Sequence, residues 1–128
     1  YIEYTCIATV ADVVPLVSEN RIIVSEGINA IKNTSKEAIK ALLAPMSSPI
    51  SELSSIDIAF FIAPKINAAS RMEDAKYATD LLLSEDKEQC ENLARKLLEL
   101  SDLRKATEKE IIKNMEERIG FLPCFFFA

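Results

Sequence analysis

Apolar residues recur at helical spacing along almost the whole chain, and prolines mark where the helices must stop. Residues 1–11 place Tyr1, Tyr4, Cys6, Ile7 and Val10 at helical intervals. This predicts a helix that stops near Val14, because the residue before Pro15 is pushed out of the α region. Ser18, Glu19 and Asn20 are turn formers, and any of them could cap a helix from about Arg21 to Lys32. Its apolar side would carry Ile22, Ile23, Val24, Ile28 and Ile31. In "NTSKEAIKALLAP", Thr34 and Glu37 have capping-box spacing, and Pro45 ends that helix after about three turns. "MSSPISELSS" reads as a polar linker. Ser54 or Ser55 can then cap a helix entering "IDIAFFIAPKINAASRM", which Pro64 should kink or break.

Asp74 begins another helix through "AKYATDLLL", with Ala75, Ala78, Leu81 and Leu82 on one side. Ser84 is expected to cap the last and longest helix, from about Glu85 to Ile119. Its seam runs through Leu93, Leu97, Leu100, Leu103 and Ala106, slips in phase, and resumes at Ile111 or Ile112, Met115 and Ile119. At about 1.5 Å per residue such a helix is about 50 Å long, a length suited to a connector between domains. The chain closes on "FLPCFFFA", an uncharged run that reads as a buried strand, although no partner strands are evident. With an opening that lies inside a helical pattern, this leads to the expectation that the chain is an internal segment of a longer protein.

Composition narrows the class. The chain has 128 residues, 49% of them hydrophobic, with two glycines and five prolines, which suits one mainly α domain rather than two. A net charge of −5 argues against wrapping nucleic acid by bulk electrostatics, so a local basic site would have to do it. Three widely separated cysteines, Cys6, Cys90 and Cys124, suit a reducing cytoplasm better than a disulfide or zinc framework. The chain has no histidine, so imidazole bases and imidazole metal ligands are excluded from it. No stretch approaches the roughly 20 apolar residues of a membrane span.

Two segments carry candidate chemistry. In "ATVADVVPLVSENR", Asp12 is a lone acid where an apolar helix must stop. It is either a cap or partner of a nearby base, or a ligand for a hard divalent cation, since an ionised acid among apolar residues is costly to bury without donors or a cation. In "APKINAASR", Asn67 and Arg71 are four apart and share a helix face, with small residues between them and Lys65 close by. Arg71 offers a planar fork suited to phosphate. Alternatively it pairs with Glu73 or Asp74, while Asn67 satisfies buried backbone. Nothing basic accompanies the four terminal phenylalanines, which favours a buried strand over a base-stacking platform.

At these two segments the chain resembles the DHH phosphoesterases, in the form used by RecJ-type single-stranded-DNA-specific exonucleases. "ATVADVVPLVSENR" looks like their fourth conserved segment. "DIAFFIAPKINAASRMEDAKYATDLLLSED" resembles the stretch D-I-G-F-x-I-G-P-R-L-N-A-A-G-R followed by D-A-x-x-A-L-x-L-L-L. The order of the blocks and the Leu-rich helix after them also fit. Two family glycines are Ala63 and Ser70 here, and the usual arginine is Lys65.

The resemblance implies a mainly α piece. Residues 1–83 would be the helical tail of an α/β DHH catalytic domain, 84–120 a long interdomain connector helix, and 121–128 the first strand of a second domain. It implies Asp12 as a catalytic ligand of a two-metal Mn2+ or Mg2+ site, most of whose ligands lie outside this piece. Arg71, Asn67 and Lys65 would face DNA. The implied parent is a cytoplasmic 5′-to-3′ exonuclease on single-stranded DNA in repair and recombination, accompanied by a single-strand-binding protein and a helicase. These 128 residues alone are expected to be inactive. Another DHH phosphoesterase, acting on short RNA or cyclic dinucleotides, and a non-enzymatic helical interaction module are the rival readings.

Overall fold

The computed structural model describes residues 1–72 and 75–119, and within these all side chains except those of 70–72 and 117–119. Helix α1 (Ile2–Ala11) packs along α2 (Ser18–Lys32), with Cys6, Ile7 and Val10 facing Val24, Gly27 and Ile31. Helix α2 begins three residues earlier than expected, after Val17, and none of the three turn formers caps it. Asn20 instead donates its Nδ2 to the Pro15 carbonyl at 3.0 Å, closing the turn rather than the helix. Ile22, expected on the apolar side, is exposed, because Val24, Gly27 and Ile31 already define the buried stripe.

Helix α3 (Glu37–Leu43) is two turns long and has no side-chain cap. The Thr34–Glu37 capping box does not form. The Thr34 hydroxyl donates instead to Glu3 Oε1 at 2.6 Å, and Lys36 Nζ lies 2.9 Å from Glu3 Oε2. Burial works against the Glu3 carboxylate, but these donors and the Lys36 charge outweigh it and hold its pKa below the usual range. The linker is not wholly polar: it contains a 3-10 turn (Ile50–Glu52), and Leu53 is buried in the core.

Ser54, one of the two serines expected to cap the next helix, does so in a reciprocal capping box with Asp57. That helix runs without a break through α4 (Ser55–Asp57), a π-helical segment (Ile58–Ile62) and α5 (Ala63–Met72). Pro64 therefore widens the helix rather than ending it. It has no N–H for the Phe60 carbonyl and its ring crowds that oxygen, so the preceding turn opens and the Ala63 N–H reaches back to Ile58.

Helix α6 (Lys76–Leu83) and α7 (Lys87–Ile119) complete the fold. Asp74, the expected start of α6, lies outside the described residues. The Asp86 carboxylate caps α7, accepting from the Gln89 N–H at 2.7 Å, in place of the expected Ser84. Cys90, Ala94, Leu97 and Leu100 of α7 pack against α3, α5 and α6. Past Ser101 the seam leaves the core, and Leu103, Ile111, Ile112 and Met115 are each more than half exposed. Among the described residues the fold is all helical, in keeping with the mainly α expectation. Cys6 and Cys90 are buried free thiols, and "FLPCFFFA" with Cys124 lies outside the described residues.

Candidate functional site

Helix α1 ends because its last turn cannot be continued past Asp12. Asp12 keeps near-helical backbone angles (φ −80°, ψ −1°), and its N–H still bonds the Ala8 carbonyl at 3.0 Å. The next residue, Val13, turns left-handed at φ 53°. A β-branched residue pays about 1–2 kcal/mol there, where glycine would be free. Strain of this kind persists only when the surrounding structure over-determines the turn. Here the Asn20–Pro15 hydrogen bond ties the turn to α2. The carboxylate is not buried among apolar side chains. It is exposed at the helix end, and no described basic side chain pairs with it.

Helix α5 passes beside that end. Asp12, Ala8 and Ala11 from α1, with Ala63, Ile66 and Asn67 from α5, line one groove of about 280 Å³, closed at its far end by Tyr4 and Leu82. The two segments singled out in the sequence thus meet. Ala63 and Ala68 are buried small residues, and small side chains on facing helices let them approach closely. Asn67 is exposed on the groove side. Arg71 follows it by one helical turn in α5, and its side chain lies outside the described residues.

Lys65 goes elsewhere, against expectation. It is 4% exposed, donates its ammonium to the Phe61 carbonyl at 2.9 Å and lies over the Phe61 ring. The widened turn before Pro64 leaves that carbonyl in reach, and Asp102 and Lys105 of α7 lie close enough to act on the ammonium. It lines no part of the groove. Burial, with the nearby Lys105 charge, pushes its pKa down to about 8, against a smaller opposing pull from Asp102. The unfolded chain therefore binds more protons than the folded one between pH 8 and 10.5. In that window stability rises with pH, and the penalty for the buried charge is fully present below it. Relative to Lys65→Met, the wild-type chain should gain up to about 1 kcal/mol per pH unit above pH 8. Urea denaturation of both at pH 7, 8 and 9 measures this; a flat difference would place the ammonium in water.

Among the described residues no group of three or more His, Cys, Asp or Glu side chains converges to hold a metal ion. Asp12 supplies one carboxylate. Its exposure at a groove lip and its stiff mount suit a hard cation taking oxygen ligands, provided the remaining ligands come from elsewhere. No helix among the described residues is long and apolar enough to cross a membrane.

No family model matches the chain. It is 35% identical over 118 residues to the single-stranded-DNA-specific exonuclease RecJ of Bacillus subtilis, covering 92% of this chain and 15% of that protein. It is likewise 35% identical over 118 residues to RecJ of Escherichia coli, covering 90% of this chain and 19% of the relative. The crystal structure of Thermus thermophilus RecJ with Mn2+ superposes with a TM-score of 0.85 at 31% identity, over 93% of this chain and 18% of that one. The same protein with Mg2+ gives 0.82 at 32% identity. The chain thus spans less than a fifth of the length of these relatives.

Proposed function

We propose, from its match in sequence and fold to one segment of the RecJ exonucleases, that this chain is part of a metal-dependent 5′-to-3′ exonuclease acting on single-stranded DNA. The observation that carries the reading is the shared groove: Asp12 and Asn67 come from the two segments that resemble the family, and they line one trough. Asp12 holds one position of a Mn2+ or Mg2+ centre whose other ligands lie outside these 128 residues, so the 128 alone do not turn over. When bound, such ions activate a water and neutralise charge on the phosphodiester. This chain's own part is to fix the Asp12 carboxylate at a stiff helix end and to hold the strand beside it. Asn67 lines the strand's path, and Arg71, one turn further along α5, holds a backbone phosphate. Lys65 acts inside the protein, bracing α5 against α7. Residues 1–83 form the helical tail of the catalytic domain and α7 leads toward a second domain. The parent works in the cytoplasm during repair and recombination, on strands opened by a helicase and coated by a single-strand-binding protein.

Two measurements on the full-length parent test the reading. With Mn2+ it should release nucleotides from long single-stranded DNA and leave dinucleotides and short RNA largely uncut; the reverse preference would favour another DHH phosphoesterase. Arg71→Ala should weaken binding of single-stranded DNA and reduce the slope of log affinity against log salt by about one phosphate contact. An unchanged slope contradicts the role given to Arg71.

A further inference from the structure

A second groove, of about 520 Å³, opens on the other side of Asn67. It shares Ala11, Ala63 and Asn67 with the Asp12 groove, so the two adjoin along the α1–α5 contact. Its chemistry differs from the rest of this acidic chain. No acid lines it among the described residues, and its one charged side chain is Arg104, whose Nε donates to Glu108 at 2.7 Å. Its wall is apolar and holds Phe60, a ring left 78% exposed.

The placement of Phe60 follows from the widened turn. Ile58 and Ile62 are both fully buried, and Phe61 turns toward Lys65, which leaves Phe60 on the outer side of a helix fixed by the capping box and by Pro64. A flat, rigidly mounted ring beside one cation and one amide matches a single strand of nucleic acid, whose bases present π faces and whose backbone is anionic. Resting on the nuclease reading above, we propose that this second groove is a base-stacking subsite: Phe60 is the platform for a base, Asn67 lies between it and the metal end, and Arg104 faces the backbone. A strand whose scissile phosphate lies at Asp12 would reach this adjoining groove by passing Asn67.

The test uses the full-length parent with metal chelated, so that binding is read without cleavage, and a fluorescein-labelled oligothymidylate as the probe. Phe60→Ala and Phe60→Leu should each weaken binding about 5- to 150-fold, since both remove the ring face. Phe60→Trp should retain binding, and thermal melting should move little in all three. Two results overturn the subsite while leaving the nuclease reading intact. One is unchanged binding in both Phe60→Ala and Phe60→Leu alongside normal wild-type turnover. The other is lowered melting in Phe60→Ala with melting and binding restored in Phe60→Leu, which would mean that another part of the protein packs on the ring. A wild-type parent that neither binds nor degrades single-stranded DNA would overturn both the subsite and the reading beneath it.

Discussion

Asp12→Ala in the full-length parent is expected to lower Mn2+-dependent nucleotide release from single-stranded DNA by at least about 100-fold, and to leave the fold intact. The size follows from the proposed role: losing a carboxylate ligand would forfeit several kcal/mol of charge stabilisation around the phosphodiester, and each 1.36 kcal/mol is about tenfold in rate. The silence in stability follows from the structure. The side chain is exposed and has no described basic partner, and the α1 end is closed by backbone groups and by the Val13 turn. Surface changes of that kind usually stay within about 0.5 kcal/mol. Release of labelled nucleotides, followed beside a urea melt, separates the two. Wild-type turnover in the mutant would remove Asp12 from the site, and joint loss of activity and stability would make it a structural residue.

Gly27→Ala should destabilise the contact between α1 and α2. A Cβ built at Gly27 would lie 2.2 Å from the Cys6 Cβ, 2.9 Å from its Sγ and 3.1 Å from the Ile2 carbonyl oxygen. Two of those atoms are fixed by the α1 backbone, so the helix itself must shift. Alanine gains about 1 kcal/mol of helix propensity over glycine in an exposed helix. Overpacking against a rigid neighbour costs about 1–3 kcal/mol, occasionally more, so a net loss of up to about 2 kcal/mol is expected. On the proposed reading the displacement would also disturb the site, because Asp12 sits at the end of the helix that must move. Cys6→Gly should recover part of the loss in the double mutant, a coupling that a mutant cycle measures directly. Equal stability of Gly27→Ala and wild type would mean that α1 and α2 are not in tight contact.

The structure and the sequence agree where a residue's chemistry acts on its own neighbourhood. Ser54 and Asp57 are three apart, and each satisfies the other's backbone donor within a single turn, so that cap was readable. Cys6 and Cys90 lie on apolar stripes and are core thiols. The capping box expected at Thr34 fails for a reason no local pattern contains: Glu3, thirty-one residues away, takes the hydroxyl. Lys65 was legible as a cation near Asn67, but its direction depended on the carbonyl that the widened turn at Phe61 presents and on α7 closing over it. Ile22 and Leu103 fit helical stripes yet remain exposed, because each lies on the solvent side of its helix.

Helical spacing, prolines and caps sufficed to say that the chain is mainly α, roughly where each helix starts and stops, and that Asp12 and Asn67 deserved suspicion. These are short-range properties: hydrogen bonds within a turn and apolar faces set by a 3.6-residue period. Packing alone determined that the end of α1 lies beside α5, that the groove of Asp12 and the groove of Phe60 adjoin at Asn67, and that Lys65 turns inward. Such outcomes depend on contacts between segments about fifty residues apart, where the closeness of approach is set by side-chain size at the crossing and not by any pattern within either segment.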